Sequence, residues 1–267
     1  MSKYKKRNLL FSVLSVVFVV IFALSACSPL KRGNNVVYKN LTLEHPGVIL
    51  SEITVATYNI KHCANGYDAV LNELKTADAQ IIFIQEADRF TKRSGKETDQ
   101  IAKLGEDLSL NYAFFQSIEL EGGEYGVGIL SYFEIESARS IALPGDVKNE
   151  PRTLGEVVIS IYGKSVSLYT THLSFEDKAP RTQQLAKIAE TVAGKEFIIG
   201  ADFNTSDLAE LAVLNGSYVN DGGFITNGED GAIDNIVYSS SFFFTAAAMQ
   251  TSNASDHHLL KARLILA

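Results

Sequence analysis

This chain of 267 residues has no tryptophan, only two cysteines, and no internal repeat or low-complexity stretch. The scarcity of cysteine excludes a disulfide framework. Positive charge is also short: 24 Lys and Arg stand against 31 Asp and Glu, a net charge of −7. The first 26 residues hold Lys3, Lys5, Lys6 and Arg7 and no acidic residue, so the remainder carries −11. Tight non-specific binding of duplex nucleic acid rests on neutralising phosphates with Lys and Arg, which this composition does not suit. No internal linker divides the chain, so one domain with one large core is expected over residues 51–267.

A long apolar run occurs once. Leu9 to Leu24 is apolar except for Ser12 and Ser15, behind a positive start and ahead of small residues. That is the layout of a secretory signal, and its 16 residues fall short of the ~20 that span a bilayer. Leu24-Ser25-Ala26-Cys27 resembles the lipobox of bacterial lipoproteins, where the cysteine is acylated and becomes the new N-terminus. The resemblance implies a cleaved signal over 1–26, lipidation of Cys27, a lipidated tether over 27–50 and an extracytoplasmic, membrane-anchored location. An uncleaved anchor or a plain secreted form are the alternatives. Cys63 is then a lone cysteine, read as packing rather than as a nucleophile.

Strand-like and helix-like segments interleave along the rest. Ile53–Tyr58, Ile81–Gln85, Gly126–Leu130, Leu154–Ile161, Val166–His172, Phe197–Gly200, Ile233–Tyr238 and Leu259–Ile265 read as strands. The turn Tyr162-Gly163-Lys164 joins two of them as a hairpin. Tyr67–Lys75, Asp99–Leu108 and Pro180–Val192 read as helices; in the last, Leu185, Ile188, Ala189 and Val192 keep the i, i+3, i+4, i+7 spacing. Hairpins and α-crossovers together predict an α+β class: two mixed β-sheets face to face with outer helices.

Polar groups recur at the ends of these strands. Asn59, Glu86, His172, Asp202 with Asn204, Asp234, and Asp256 with His257 all lie at or beside apolar runs. Any one is a natural loop starter. The set holds the carboxylates, amides and imidazoles that a metal-assisted attack on a phosphate ester requires.

The ordered strings Thr57-Tyr58-Asn59-Ile60, Ile84-Gln85-Glu86, Tyr125 to Ser131, Thr171-His172-Leu173, Gly200 to Asn204, Ile233-Asp234 and Ser255-Asp256-His257 resemble the endonuclease/exonuclease/phosphatase superfamily. The resemblance implies a four-layer α/β/β/α sandwich and a divalent-metal phosphoesterase. It implies Glu86 as the main Mg²⁺ or Mn²⁺ carboxylate, with Asn59 and Asp256 in support. It implies Asp202 as the base for water, Asn204 as a phosphate donor, and His257, oriented by Asp234, with His172 on the phosphate. Tyr125, Arg93 and Arg152 are further substrate-binding candidates. His62 and His258 are read as neighbours and His45 as tether or loop.

The loops between the motifs are short, and Asp221 to Asp230 adds more acid than base. A small phosphodiester, a phospholipid headgroup or a phosphomonoester is therefore expected as substrate, ahead of nucleic acid, for a monomer anchored to a membrane. An extracellular nuclease and a catalytically silent binding lipoprotein are the competing readings.

Overall fold

The computed structural model describes residues 31–33, 36–41, 52–145 and 149–267. The signal sequence, Cys27 and His45 lie outside the described residues. The strands in chain order begin with β1 (Lys31–Gly33), β2 (Val36–Lys39), β3 (Ile53–Asn59), β4 (Ile81–Arg89), β5 (Asn111–Leu120) and β6 (Gly123–Ser131). They continue with β7 (Ile135–Ala142), β8 (Thr153–Ile161), β9 (Lys164–His172) and β10 (Phe197–Asp202). The last are β11 (Ser217–Tyr218), β12 (Asp234–Tyr238), β13 (Phe242–Gln250) and β14 (Leu259–Leu266). One sheet runs β1-β2-β5-β6-β4-β3-β14-β13 and the other β11-β12-β10-β9-β8-β7.

The sheets stack because their strands are apolar on both faces. Along β4, Ile81 and Phe83 point into the core between the sheets, while Ile82 and Ile84 point outward. Outside that face lie α1 (Tyr67–Ala77) and α2 (Gln100–Leu108), which bury Val70, Leu71, Leu74, Ile101 and Leu104 against it. On the far side α3 (Lys178–Val192) buries Leu185, Ile188 and Val192 against Tyr169, Ile199 and Val237. The short α4 (Leu208–Leu211) follows β10. The expected α/β/β/α sandwich is therefore the observed fold.

The helices form where the sequence places them. Asp99 caps α2 by accepting from the Ala102 N–H at 3.0 Å, and such a cap contributes about 1 kcal/mol. In α3, Pro180 falls in the first turn, where a missing N–H leaves no helical bond unmade. Elements that the sequence did not mark are β1, β2, β5, β7, β11, β13 and the short α4. In β7 only Ile135 is buried, and in β13 only Phe242, so neither carries a clean period-two pattern. The β2 strand lies within the span assigned to the tether, yet it pairs with β5 and buries Val36 and Val37. The sheet thus reaches upstream of residue 51.

The parallel pairs β3–β4 and β9–β10 bring four strand ends to one edge of the sandwich. The two sheets approach closely there at Gly200, where a Cβ would meet Phe83 Cδ2 at 2.1 Å. Only glycine lets β10 lie near enough to β4 for Asp202 to reach Asn59.

Candidate active site

Each predicted carboxylate or histidine sits at that edge because its strand ends there. Asn59 closes β3, His172 closes β9, Asp202 closes β10, Asp234 opens β12, and His257 stands two residues ahead of β14. Glu86 depends on backbone distortion. The β4–β6 register shifts between Ile84 and Ala87, and Glu86 takes φ 57. A bulge re-aims a side chain, and the left-handed region costs a non-glycine residue about 1–2 kcal/mol. Asn204 is held in the same region at φ 51. Its backbone N–H donates to Asp202 Oδ1 at 3.0 Å and its side-chain amide donates to the Leu173 carbonyl at 2.8 Å.

Asn59 ties the two sheets' carboxylates together. Its amide donates to Glu86 Oε1 at 2.9 Å and to Asp202 Oδ2 at 3.1 Å. His172 stands between the same groups, with Nε2 3.4 Å from Asp202 Oδ2 and Nδ1 3.9 Å from Glu86 Oε1. His257 Nδ1 meets Asp234 Oδ2 at 2.8 Å, and its Nε2 lies 3.6 Å from Asp202 Oδ2. Of these groups Glu86, His172, Asp202 and His257 line an open cleft of about 600 Å³, together with Tyr125, Glu150, Arg152, Phe175, Arg181, Asn227, Asp230 and Asp256; Asn59 and Asp234 stand behind them.

The two imidazoles are pushed in opposite directions. Burial lowers His172 to about 4, only partly offset by Asp202, with Arg152 adding to the depression. Burial would lower His257 too, but Asp234 and then Asp202 outweigh it and hold it at about 9. His172 is therefore neutral and His257 charged at neutral pH. Pairs separated in this way mark division of labour in proton chemistry. Burial raises Glu86 and Asp202 as well, each with a carboxylate neighbour adding to the effect.

Two residues that contact the predicted site residues, Lys61 and Asn227, were not anticipated. Lys61 Nζ binds Asp256 Oδ2 at 2.6 Å, so Asp256 is engaged by an ammonium. Its position two residues beyond Asn59 was the available signal. Asn227 Nδ2 lies 3.1 Å from His257 Nε2, while Asn227 Oδ1 accepts from the backbone N–H groups of Glu229 and Asp230. The loop before β12 brings it there, and nothing in its sequence neighbourhood marks it. An amide donor at Nε2 favours the neutral ring; two carboxylates outweigh that single dipole.

Tyr125 and Arg152 line the cleft as expected, Arg152 buried with its Nε unpartnered and Nη1 3.0 Å from Glu150. Arg93 does not line it. Both arms of its guanidinium go to the buried Asp88, at 2.7 and 2.8 Å, and its charge stacks 5.6 Å from the Tyr125 ring. A bidentate partner this good leaves the phosphate no claim on that face. His62 lines a separate hollow with Cys63 and Arg93. Burial pushes the Cys63 thiol up to about 12, which fits packing rather than nucleophilic chemistry. His258 accepts the Ser252 N–H at 3.2 Å, away from the cleft.

The cleft is rich in oxygen donors. Among the described residues Asp202, Asp234 and His257 present ligand atoms within 4.8 Å of one another. Yet the Nδ1 of His257 is already committed to Asp234. Glu86, part-exposed to the cleft, is the freer hard-oxygen donor. Three carboxylates, Glu86, Asp202 and Asp256, around one opening fit a divalent cation that prefers oxygen and keeps waters, though Lys61 already meets Asp256.

Solved structures share this fold. One is an endonuclease/exonuclease/phosphatase from Beutenbergia cavernae, with TM-score 0.68 at 17% identity over 82% of this chain and 72% of that one. Another is D. rerio TDP2 complexed with a single-strand DNA product, with TM-score 0.63 at 16% identity over 80% of this chain and 99% of that one. A third is a mannosyl-6-phosphatase from Bacteroides thetaiotaomicron, with TM-score 0.61 at 17% identity over 80% and 100%. No curated protein matches the chain. The model of the Endonuclease/Exonuclease/phosphatase family, whose members hydrolyse phosphoester bonds, matches residues 56–257. Its ordered ends, from the strand before Asn59 to His257, are the ends on which the cleft is built, and this chain belongs to that family.

Proposed function

We propose that the protein is an exported, lipid-tethered phosphoesterase, dependent on Mg²⁺ or Mn²⁺, that cleaves a P–O ester bond of a small substrate by activated water. The observation that carries this reading is geometric: two histidines flank one buried carboxylate, His172 Nε2 at 3.4 Å and His257 Nε2 at 3.6 Å from Asp202 Oδ2. Asp202 takes the proton of the attacking water as its oxygen bonds to phosphorus. The charged His257, held by Asp234, faces the non-bridging oxygens where negative charge develops as the P–O bond to the leaving group breaks. Neutral His172 supplies one further hydrogen-bonding nitrogen. Arg152, buried with Nε unpartnered, offers a guanidinium to the anionic substrate. Glu86 would hold the metal, with Asp256 beside it; when bound, the ion supplies Lewis-acid stabilisation of charge. Asn59 keeps Glu86 in place.

The charge around the cleft supports a small phosphodiester, phospholipid headgroup or phosphomonoester. Six acidic residues line it against Arg152 and Arg181, and Arg181 is engaged by Glu210 at 3.2 and 3.4 Å. A polyanionic duplex would meet net repulsion there. The test offers bis(p-nitrophenyl) phosphate, p-nitrophenyl phosphate, sphingomyelin and plasmid DNA with and without Mg²⁺ or Mn²⁺. Cleavage of one class, abolished by EDTA and by Asp202→Ala or His257→Ala, is expected. Full activity in either variant would sink the assignment.

A further inference from the structure

One large apolar side chain stands open at the mouth of the cleft. Phe175 lines it and is 66% exposed, the highest value among the large hydrophobic residues described. None of the other well-exposed ones among the described residues lines the cleft. The backbone that carries Phe175 is firmly held. Ser174, beside it, is fully buried; its N–H donates to Gln184 Oε1 at 3.0 Å, and Gln184 Nε2 donates to Ser174 Oγ at 2.9 Å. Arg181 Nη1 donates to the Ser174 carbonyl at 3.3 Å. Gln184 is itself fully buried in α3 and also donates to the Pro144 carbonyl at 3.1 Å. An exposed ring on such backbone has few torsions to lose when a ligand covers it.

The position of Phe175 relative to Asp202 selects the part of a substrate that it meets. The Leu173 N–H donates to the Asp202 carbonyl at 3.0 Å, and the Asn204 amide donates to the Leu173 carbonyl at 2.8 Å. Phe175, two residues on, stands on the flank from which Asp202 activates water. In an in-line displacement the attacking and leaving oxygens lie on opposite sides of phosphorus. A side chain on the attacking flank therefore meets a substituent that stays on phosphorus, not the group that departs. Charge points to a substrate that has such a substituent. Glu86, Glu150, Asp202, Asp207, Asp230 and Asp256 line the opening against Arg152 and Arg181. A phosphomonoester would bring nearly two negative charges there at neutral pH and has no retained substituent; a diester brings one charge.

We propose that the substrate is a phosphodiester whose retained substituent presents an apolar ring face, and that Phe175 is the specificity-determining residue that packs on it. The proposal deepens the phosphoesterase reading above and rests on it. Aryl and heterocyclic rings share the face that a phenyl side chain stacks on, in offset or edge-on contact.

Four esters with one leaving group test this at saturating Mg²⁺. Bis(p-nitrophenyl) phosphate, thymidine 5′-(p-nitrophenyl phosphate), methyl p-nitrophenyl phosphate and p-nitrophenyl phosphate all release p-nitrophenolate and differ in what stays on phosphorus. The ratio of variant to unaltered protein on each ester cancels that ester's own reactivity. Phe175→Ala is expected to lower kcat/KM about tenfold on a ring-bearing diester, through KM, and less than about threefold on the methyl diester. Phe175→Trp should restore the loss. Equal losses on ring-bearing and methyl diesters, or no loss, overturn the proposal, as does faster turnover of the monoester than of every diester. The chain has no tryptophan, so Phe175→Trp also carries its sole indole. Its emission is titrated with diphenyl phosphate and with dimethyl phosphate. A saturable change with the first alone is expected, and equal responses overturn the ring contact. If no ester is turned over, the phosphoesterase reading falls, and the titration decides the role of Phe175 by itself.

Discussion

Replacing Asp234 by Asn keeps a hydrogen-bond acceptor for His257 Nδ1 and removes the charge that holds the ring protonated. Burial lowers His257, and the Asp234 carboxylate is the largest influence raising it to about 9. Without that carboxylate only Asp202 and Asp256 oppose burial, so the ring falls from about 9 toward its ordinary value, taken as 6.5. At pH 7.5 a ring with pKa near 9 is almost wholly charged, whereas one at 6.5 is charged in roughly one molecule in ten. If the imidazolium is the reactive form, kcat/KM falls about tenfold at pH 7.5 from protonation alone. At pH 5.5 both proteins hold the charge, and the two rates converge. The assay is a pH–rate profile from 5 to 10 at saturating Mg²⁺, on whichever substrate the unaltered protein cleaves. The alkaline limb should move from about 9 toward 6.5. A limb that stays in place, or a loss equal at both pH values, refutes the role given to the His257–Asp234 pair.

Glu86→Gln keeps the hydrogen bond from Asn59 but removes the freest carboxylate of the cleft; the Mg²⁺ concentration for half-maximal rate should rise at least tenfold, and an unchanged titration would remove Glu86 from the metal. Stability without metal should peak near pH 6.5. The raised His257 contributes fully below its unfolded 6.5 and loses that contribution as pH climbs through about 9, a change of about 3 kcal/mol at 1.36 kcal/mol per unit. The depressed His172 acts in the other direction, because the unfolded chain binds its proton first, so stability declines from pH 6.5 toward about 4. Thermal unfolding in EDTA at half-unit intervals checks both limbs; a flat profile from 6.5 to 9 would contradict the charged state of His257.

Much of this protein is legible in one dimension. Continuous apolar runs such as Ile81–Ile84 must be buried on both faces, so they declare central strands wherever they occur. The capped start at Asp99 and the spacing of Leu185, Ile188 and Val192 declare helices for equally local reasons. Polar residues ending those strands gave Glu86, His172, Asp202, Asp234 and His257, all of which line or support one cleft. Edge strands escaped because β7 and β13 bury one residue each, leaving no alternation to read. Arg93 was misplaced because sequence reports a guanidinium but not its partner, and Asp88 lies within its reach in the folded loop. Lys61 and Asn227 act on Asp256 and His257 across 195 and 30 positions, separations that no local pattern encodes. The sequence by itself determined which groups are available and on which strand ends they sit. Tertiary structure alone decided which imidazole is charged, because a pKa depends on burial and on neighbours a few ångströms away, and those are set only when the two sheets close at Gly200.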